Sequence, residues 1–123
     1  MQMDTARHAA DLLAPLFAGR LEEAVAILHL GGDRRVLGVM QFDGESDWAD
    51  LPFRAIVADA LRLGSAALVL AHNHPSGLAA PSEDDLAATR RLAQVVEPLG
   101  IRLHDHLIFA GGCCLSLRGL GLL

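Results

Sequence analysis

Two histidines and an aspartate form the strongest chemical pattern in the sequence. His72 and His74 lie two residues apart at the end of a short apolar run, and Asp85 follows a proline-bounded loop. Residues i and i+2 of an extended chain point the same way, so both imidazoles can reach one ion. A catalytic zinc site usually takes three protein ligands and keeps an open position for water. An isolated His-x-His pair is more often incidental than metal-binding, but its place at the end of a buried strand, with Asp85 nearby, predicts a zinc site that activates water for hydrolysis.

The elements on either side of the loop must bring these residues together. Ala66 to Ala71 is short, apolar and bounded by turn formers, which predicts a strand buried on both faces. Ser82 begins a helix whose first turn is acidic, and Asp85 is also the third helical residue of a capping box. We expect the loop to fold Asp85 back over the strand end, where α/β sheets commonly bind ligands. Capping and metal ligation are competing explanations of Asp85.

Apolar periodicity, caps and turn residues predict the rest of the fold. The predicted strands form two hairpins, one of Ala24–Leu30 with Arg35–Phe42 and one of Ile101–Ala110 with Cys114–Leu117, and a polar loop is expected over 43–50. A first helix is predicted over Asp4–Phe17. A second helix is capped by Asp50, contains Pro52 in its first turn and runs to Leu63, with a buried stripe of Ile56, Val57, Ala60 and Leu61. A third helix runs from Ser82 to Leu99, and its apolar face consists of Leu86, Leu92, Val96 and Leu99. This order predicts a single α/β domain with a mixed central β-sheet flanked by helices.

Composition narrows the class of protein. The chain has 123 residues, of which 52% are apolar, and this favours one globular domain over a disordered chain. The longest apolar run, Ala66 to Ala71, is too short to span a bilayer, and the N-terminus lacks the continuous apolar stretch of a signal peptide. We therefore expect no membrane association and a cytoplasmic location.

Charge argues against tight nucleic acid binding by this domain alone. The formal net charge is −5, and the ten basic residues, all arginines, are spread along the chain. Nucleic acid affinity draws mainly on lysine and arginine contacts to phosphates. Direct, tight nucleic acid binding by this domain alone is therefore not expected, and a local basic patch stays open.

Other reactive side chains are expected to be structural. Cys113 and Cys114 are adjacent, and a bridge between neighbours would be strained, so both are predicted to be reduced strand residues. His8 and His29 lack a partner pattern and are expected to have no metal role.

The second His-x-His pattern, His104 and His106, is expected to be structural as well. His106 should form hydrogen bonds within or beside the sheet, although strands that converge near the metal could bring it close. Asn73 points away from the two site histidines in an extended strand and is expected to organise the turn.

The stretch from His72 to Asp85 resembles the H-x-H-P-(x)₆-S-x-x-D motif of the JAMM (JAB/MPN) metallopeptidases. The fuller string H-N-H-P-S-G-x-x-x-P-S, with T-R-R-L in the following helix and L-x-D-H-L-I after it, resembles the RadC branch of that family. The resemblance implies a JAB/MPN (cytidine-deaminase-like) single domain over residues 21–123. Residues 1–20 would form an N-terminal helix packed on this domain.

The resemblance also implies a catalytic glutamate at the start of the first strand, where Glu23 lies. Glu22 is the alternative, and a solvated helix-to-strand junction would explain both. If Val25 and Ile27 share a face, Glu23 lies on it and Glu22 does not. In the implied mechanism zinc acidifies water and polarises the carbonyl, while Glu23 passes the proton to the leaving amine. Ser82 would hydrogen-bond the oxyanion, cap the helix, or do both.

Two functions follow from the sequence. The favoured one is a zinc-dependent hydrolase of the metallopeptidase or isopeptidase type, acting on a peptide or protein substrate. The alternative is a RadC-type DNA-repair or DNA-processing accessory module whose metal site is structural or idle. RadC-type chains usually carry an N-terminal region with helix-hairpin-helix character, and only about twenty residues precede the domain here. A DNA-binding function that depends on that region is not expected, and a homodimer stays open.

Overall fold

The computed structural model of the protein describes residues 6–43 and 51–123. Its elements in chain order are α1 (Ala6–Phe17), β1 (Ala24–Leu30), β2 (Val36–Asp43), α2 (Phe53–Leu63), β3 (Ala67–Asn73), α3 (Glu83–Val96), β4 (Arg102–Ala110) and β5 (Cys113–Ser116), with a short 3-10 turn (Glu97–Leu99) after α3. Within these residues, none of the helices is long and apolar enough to cross a membrane.

The five strands form one mixed sheet in the order β2-β1-β3-β4-β5. Only β3 and β4 are parallel, and the other neighbours pair antiparallel. The two predicted hairpins are present, and Gly111 and Gly112, both at positive φ, make the tight turn of the second. The predicted α/β architecture, a mixed central sheet flanked by helices, is confirmed.

Alternate residues of the central strands supply two cores. On one face α1 packs Leu13 and Phe17 against Ala26 and Leu28 of β1. On the opposite face α2 and α3 pack against the sheet and form a second core. This core includes Ile27, Ile56, Leu70, Leu92 and Val96. The central strands are thereby buried between helices, and every residue of β3 after the first is buried, as its apolar run predicted.

The structure corrects two predicted helix faces. Leu61 of α2 is 61% exposed, because the inward stripe of that helix consists of Ile56 and Ala60. Leu99 is 48% exposed, because α3 ends at Val96 and the chain continues as a 3-10 turn that contains Pro98.

Two predicted helix starts also need comment. Pro52 occupies the N-cap position of α2 rather than its first turn. The predicted cap Asp50 and the predicted start of α1 at Asp4 lie outside the described residues.

Candidate metal centre

The candidate site lies at the edge of the sheet where β3 ends and β1 begins. The register pairs Val25 of β1 with His72 of β3, so the start of β1 reaches the histidines. The chain then turns after His74, whose N–H donates to the carbonyl of Phe109 at 2.8 Å. Helix α3 begins above this edge and brings Asp85 to it.

The three sequence-predicted ligands converge in the structure. The Nε2 atoms of His72 and His74 are 2.8 Å apart. The Asp85 carboxylate approaches His72 Nε2 through Oδ1 at 3.1 Å and His74 Nε2 through Oδ2 at 3.1 Å. His72 and Asp85 are 1% exposed and His74 is 14% exposed, so one side of the group stays open. Among the described residues this is a group that could hold a metal ion.

A chain of hydrogen bonds sets the tautomer of His72. The Thr89 hydroxyl donates to the Asp85 carbonyl at 2.7 Å, so it accepts from Nδ1–H of His106 at 2.6 Å. Burial, followed by the neighbouring His72, lowers the pKa of His106 well below its ordinary value, so His106 is neutral and its Nε2 is an acceptor. His72 must then donate through Nδ1 at 2.7 Å, and its Nε2 is an acceptor.

His74 is held in the same tautomer by the loop. Its Nδ1 lies 2.7 Å from the carbonyl oxygen of Leu78, which can only accept. In the neutral form of the ring, the Nε2 atom of His74 is then also an acceptor.

The donor set fits a cation, because Nε2 of His72, Nε2 of His74 in its neutral form and the Asp85 carboxylate face one another at 2.8 Å to 3.1 Å. Burial lowers the pKa of His72 against the opposing effect of Asp85, so protonating this ring does not relieve the repulsion at neutral pH. Zinc bonds of about 2.0–2.1 Å at tetrahedral angles place ligand atoms roughly 3.3 Å apart. The observed 2.8 Å and 3.1 Å separations need only a small expansion to reach that value.

Asp85 caps α3 and faces the histidines at the same time. Its Oδ2 accepts from the N–H of Ser82 at 2.8 Å, and its own N–H donates to Ser82 Oγ at 3.0 Å. Oδ1 remains directed at His72. Burial alone would raise the pKa of Asp85, but the contacts with His72 and Ser82 lower it overall, so the carboxylate is ionised. The same carboxylate thus caps α3 through Oδ2 and contacts both histidines, and capping and metal ligation stay alternative predictions for Asp85.

Glu23 and Ser82 lie beside the three ligands. Both line a cavity of about 400 Å³ together with His74 and Asp85. Glu23 is half-buried and close enough for its charge to act on His72. Glu22 is exposed and does not line this cavity. The arrangement places a carboxylate and a hydroxyl at the open side of the donor set.

The other sequence-predicted side chains lie outside the group. His104 is half-buried one residue before Asp105, and His29 is buried at the far end of β1, where its Nδ1 contacts Ser65 Oγ at 2.8 Å. His8 is exposed on α1. None of these three belongs to the metal-binding group found in residues 6–43 and 51–123.

The cysteines and one further cavity complete the neighbourhood. Cys113 and Cys114 are free thiols in β5, as predicted, and burial raises the pKa of Cys114 to about 11. A mainly apolar cavity of about 550 Å³ lies between α1 and the β4–β5 turn. His74 and Pro75 line both this cavity and the smaller one, so the two are neighbours.

Sequence reasoning missed the part played by Thr89 and placed Asn73 in the wrong role. Thr89 follows Asp85 by one helical turn, a spacing that could have indicated a shared face. Asn73 does not organise its own turn: its side chain bonds to Glu22 and Ala24 of β1.

Comparison with known proteins agrees with this geometry. Residues 3–122 match the family model described as a RadC-like JAB domain. The chain is 41% identical over 120 residues to a UPF0758 protein of Acidithiobacillus ferrooxidans, covering 97% of this chain and 54% of that protein. A UPF0758 protein of Vibrio atlanticus is 38% identical, with coverage of 93% and 51%. The chain spans about half the length of the curated relatives it matches.

Proposed function

The chain belongs to the RadC-like JAB domain family, and from that premise we propose that it is a zinc-dependent hydrolase that cleaves an amide bond. The observation that carries the proposal is the convergence of acceptor atoms from His72, His74 and Asp85. Both imidazoles are held as Nε2 acceptors by groups behind them. Such fixed tautomers are the usual support of metal-ligating histidines.

The residues around the donor set suit amide hydrolysis. A zinc ion held there would supply Lewis-acid chemistry, acidifying water and polarising a carbonyl. Glu23 accepts a proton at its carboxylate and returns it to the leaving amine. Ser82 already accepts from the N–H of Asp85, and its hydroxyl hydrogen is available to a developing oxyanion. One serine can thus cap α3 and contact the substrate.

The two adjoining cavities favour a peptide or protein substrate. The 400 Å³ cavity holds the polar groups, and the 550 Å³ cavity beyond His74 and Pro75 is mainly apolar. An extended chain that crosses the donor set would place side chains in both. The net charge of −5 favours such a substrate over a nucleic acid.

Metal analysis of purified protein tests the first half of the proposal. We expect close to one zinc per chain, and His74→Ala should abolish it. His104→Ala is the matched control, because it removes an imidazole from the adjoining strand without touching the donor set. Zinc-free protein with wild-type stability would defeat the assignment.

Hydrolysis by the zinc-loaded protein tests the second half. The probes are a mixed-sequence pool of internally quenched peptides and a lysine isopeptide. Glu23→Gln should retain zinc and lose cleavage, whereas Glu22→Gln, the same change at the exposed neighbour, should leave cleavage intact. If Glu22→Gln is the inactivating change, Glu23 is not the base.

The alternative is a DNA-processing accessory module whose metal is structural. It predicts bound zinc, no cleavage of either probe by the wild type, and loss of stability when the metal is removed. Direct binding of a DNA duplex at moderate salt would add weight to it, and cleavage that depends on Glu23 would exclude an idle site.

A further inference from the structure

Asn73 occupies an unusual place between the two histidines. Its side chain is only 4% exposed and leaves β3 on the face opposite His72. Nδ2 donates to the carbonyl of Glu22 at 3.0 Å, and Oδ1 accepts from the N–H of Ala24 at 2.7 Å. The amide therefore holds the two peptide groups that flank Glu23.

These two bonds replace backbone pairing that the sheet cannot supply. The β1–β3 register ends at Val25 and His72. The next position would pair Ala24 with Asn73, and there the N–H of Ala24 bonds to the side-chain oxygen of Asn73. A side-chain amide has the donor and acceptor of a peptide group. The Asn73 amide thus continues the ladder past its last backbone pair.

Held in this way, the backbone of Glu23 is fixed relative to the end of β3, which precedes His74 and contains His72. In an extended chain the carbonyl before a residue and the N–H after it point to the same side, so one amide can grip both. The residue that grips them lies between His72 and His74 in the sequence. A shift of the β3 end therefore moves the ligands and the start of β1 together.

We infer that Asn73 is a positioning residue that fixes the Glu23 carboxylate relative to the metal ligands. The inference rests on the proposed function, in which Glu23 is the proton acceptor. It goes beyond that proposal because it assigns a role to a residue that is outside the donor set and does not line the 400 Å³ cavity, although it lines the neighbouring 550 Å³ cavity. The competing explanation is that the two Asn73 hydrogen bonds stabilise the strand end and have no effect on Glu23.

Amide hydrogen exchange in the metal-free protein tests the two Asn73 hydrogen bonds by themselves. In Asn73→Ala the N–H of Ala24 loses its partner, so its exchange should become much faster. Ser65→Ala is the matched control, because it removes a buried hydrogen bond from His29 at the opposite end of β1. It should lower the melting temperature without changing exchange at Ala24. Unchanged exchange in Asn73→Ala would overturn the inference.

Kinetic measurements on the zinc-loaded protein test whether Asn73 affects cleavage through Glu23. Misplacing a catalytic group by about 1 Å can cost on the order of 10²-fold in rate, so Asn73→Ala should lower kcat on this scale. KM and zinc content should stay at wild-type values. In the Glu23→Gln background the same change should have no further effect, because the group it positions is gone. Equal losses in both backgrounds would show a merely structural role and overturn the inference.

A second variant keeps the test decisive if Asn73→Ala does not fold. Asn73→Asp retains the acceptor for Ala24 and loses the donor to the Glu22 carbonyl. Exchange at Ala24 should stay slow while kcat falls, and wild-type kcat would overturn the inference. If Glu23→Gln itself cleaves the probes like the wild type, the proposed function fails. The exchange result at Ala24 then still reports separately on the Asn73 hydrogen bonds.

Discussion

Replacing His106 should weaken metal binding although His106 is not a ligand. In His106→Phe a ring of similar shape fills the space, but Nδ1–H of His72 loses its acceptor at 2.7 Å. Metal-free His72 can then move its proton to Nε2 and relieve the repulsion among the ligand atoms. Binding a cation must reverse that change, so the cost appears as lost affinity.

The magnitude follows from the hydrogen bond that is lost. Leaving one buried polar group without a partner costs about 1–3 kcal/mol. Since 1.36 kcal/mol corresponds to a factor of ten, the zinc dissociation constant should rise by roughly 10- to 100-fold, the range found for groups that support metal ligands. Thr89→Val removes the acceptor for His106 Nδ1–H at 2.6 Å and the donor to the Asp85 carbonyl at 2.7 Å, but it leaves the bond between His72 and His106 in place and should have a smaller effect.

Zinc titration against a chelator of known affinity at neutral pH measures both variants. His106→Gln is the matched control, because its side-chain carbonyl can still accept a hydrogen bond from His72 and should restore part of the affinity. The expected order of dissociation constants is His106→Phe, then His106→Gln, then the wild type. A wild-type dissociation constant for His106→Phe would refute the assignment of the His72 tautomer.

Two stability changes follow from other contacts. Ser82→Ala removes the cap that accepts from Asp85 N–H at 3.0 Å and should cost about 1 kcal/mol of unfolding free energy in denaturant melts of metal-free protein; unchanged stability would show that the cap contributes nothing. Burial lowers the pKa of His29 below 6.5, so its neutral form is favoured in the folded state. Its contribution is present above pH 6.5 and is lost as the pH falls through the folded pKa. Denaturant melts across this window should show a shallower fall for His29→Gln, and an unchanged slope would contradict the assignment.

Local patterns determined the elements and the candidate ligand set of this protein. The apolar run before His72 predicted a buried strand, and the Ser82 capping box predicted the start of α3, whose first residue is Glu83. The pair His72 and His74, with Asp85 one loop away, was recognisable because each relation spans few residues. Patterns of this kind depend only on the conformation of a short stretch of backbone, and residues adjacent in the sequence determine that conformation.

Tertiary structure decided how these residues are supported and oriented. His72 meets His106 across 34 residues and Asn73 meets Glu22 across 51, and no spacing in the sequence encodes either contact. The parallel register of β3 and β4, which shifts by one residue after Leu68, sets the first contact. The early end of the β1–β3 ladder sets the second. Side-chain pairing across strands depends on register, and register is a property of the assembled sheet.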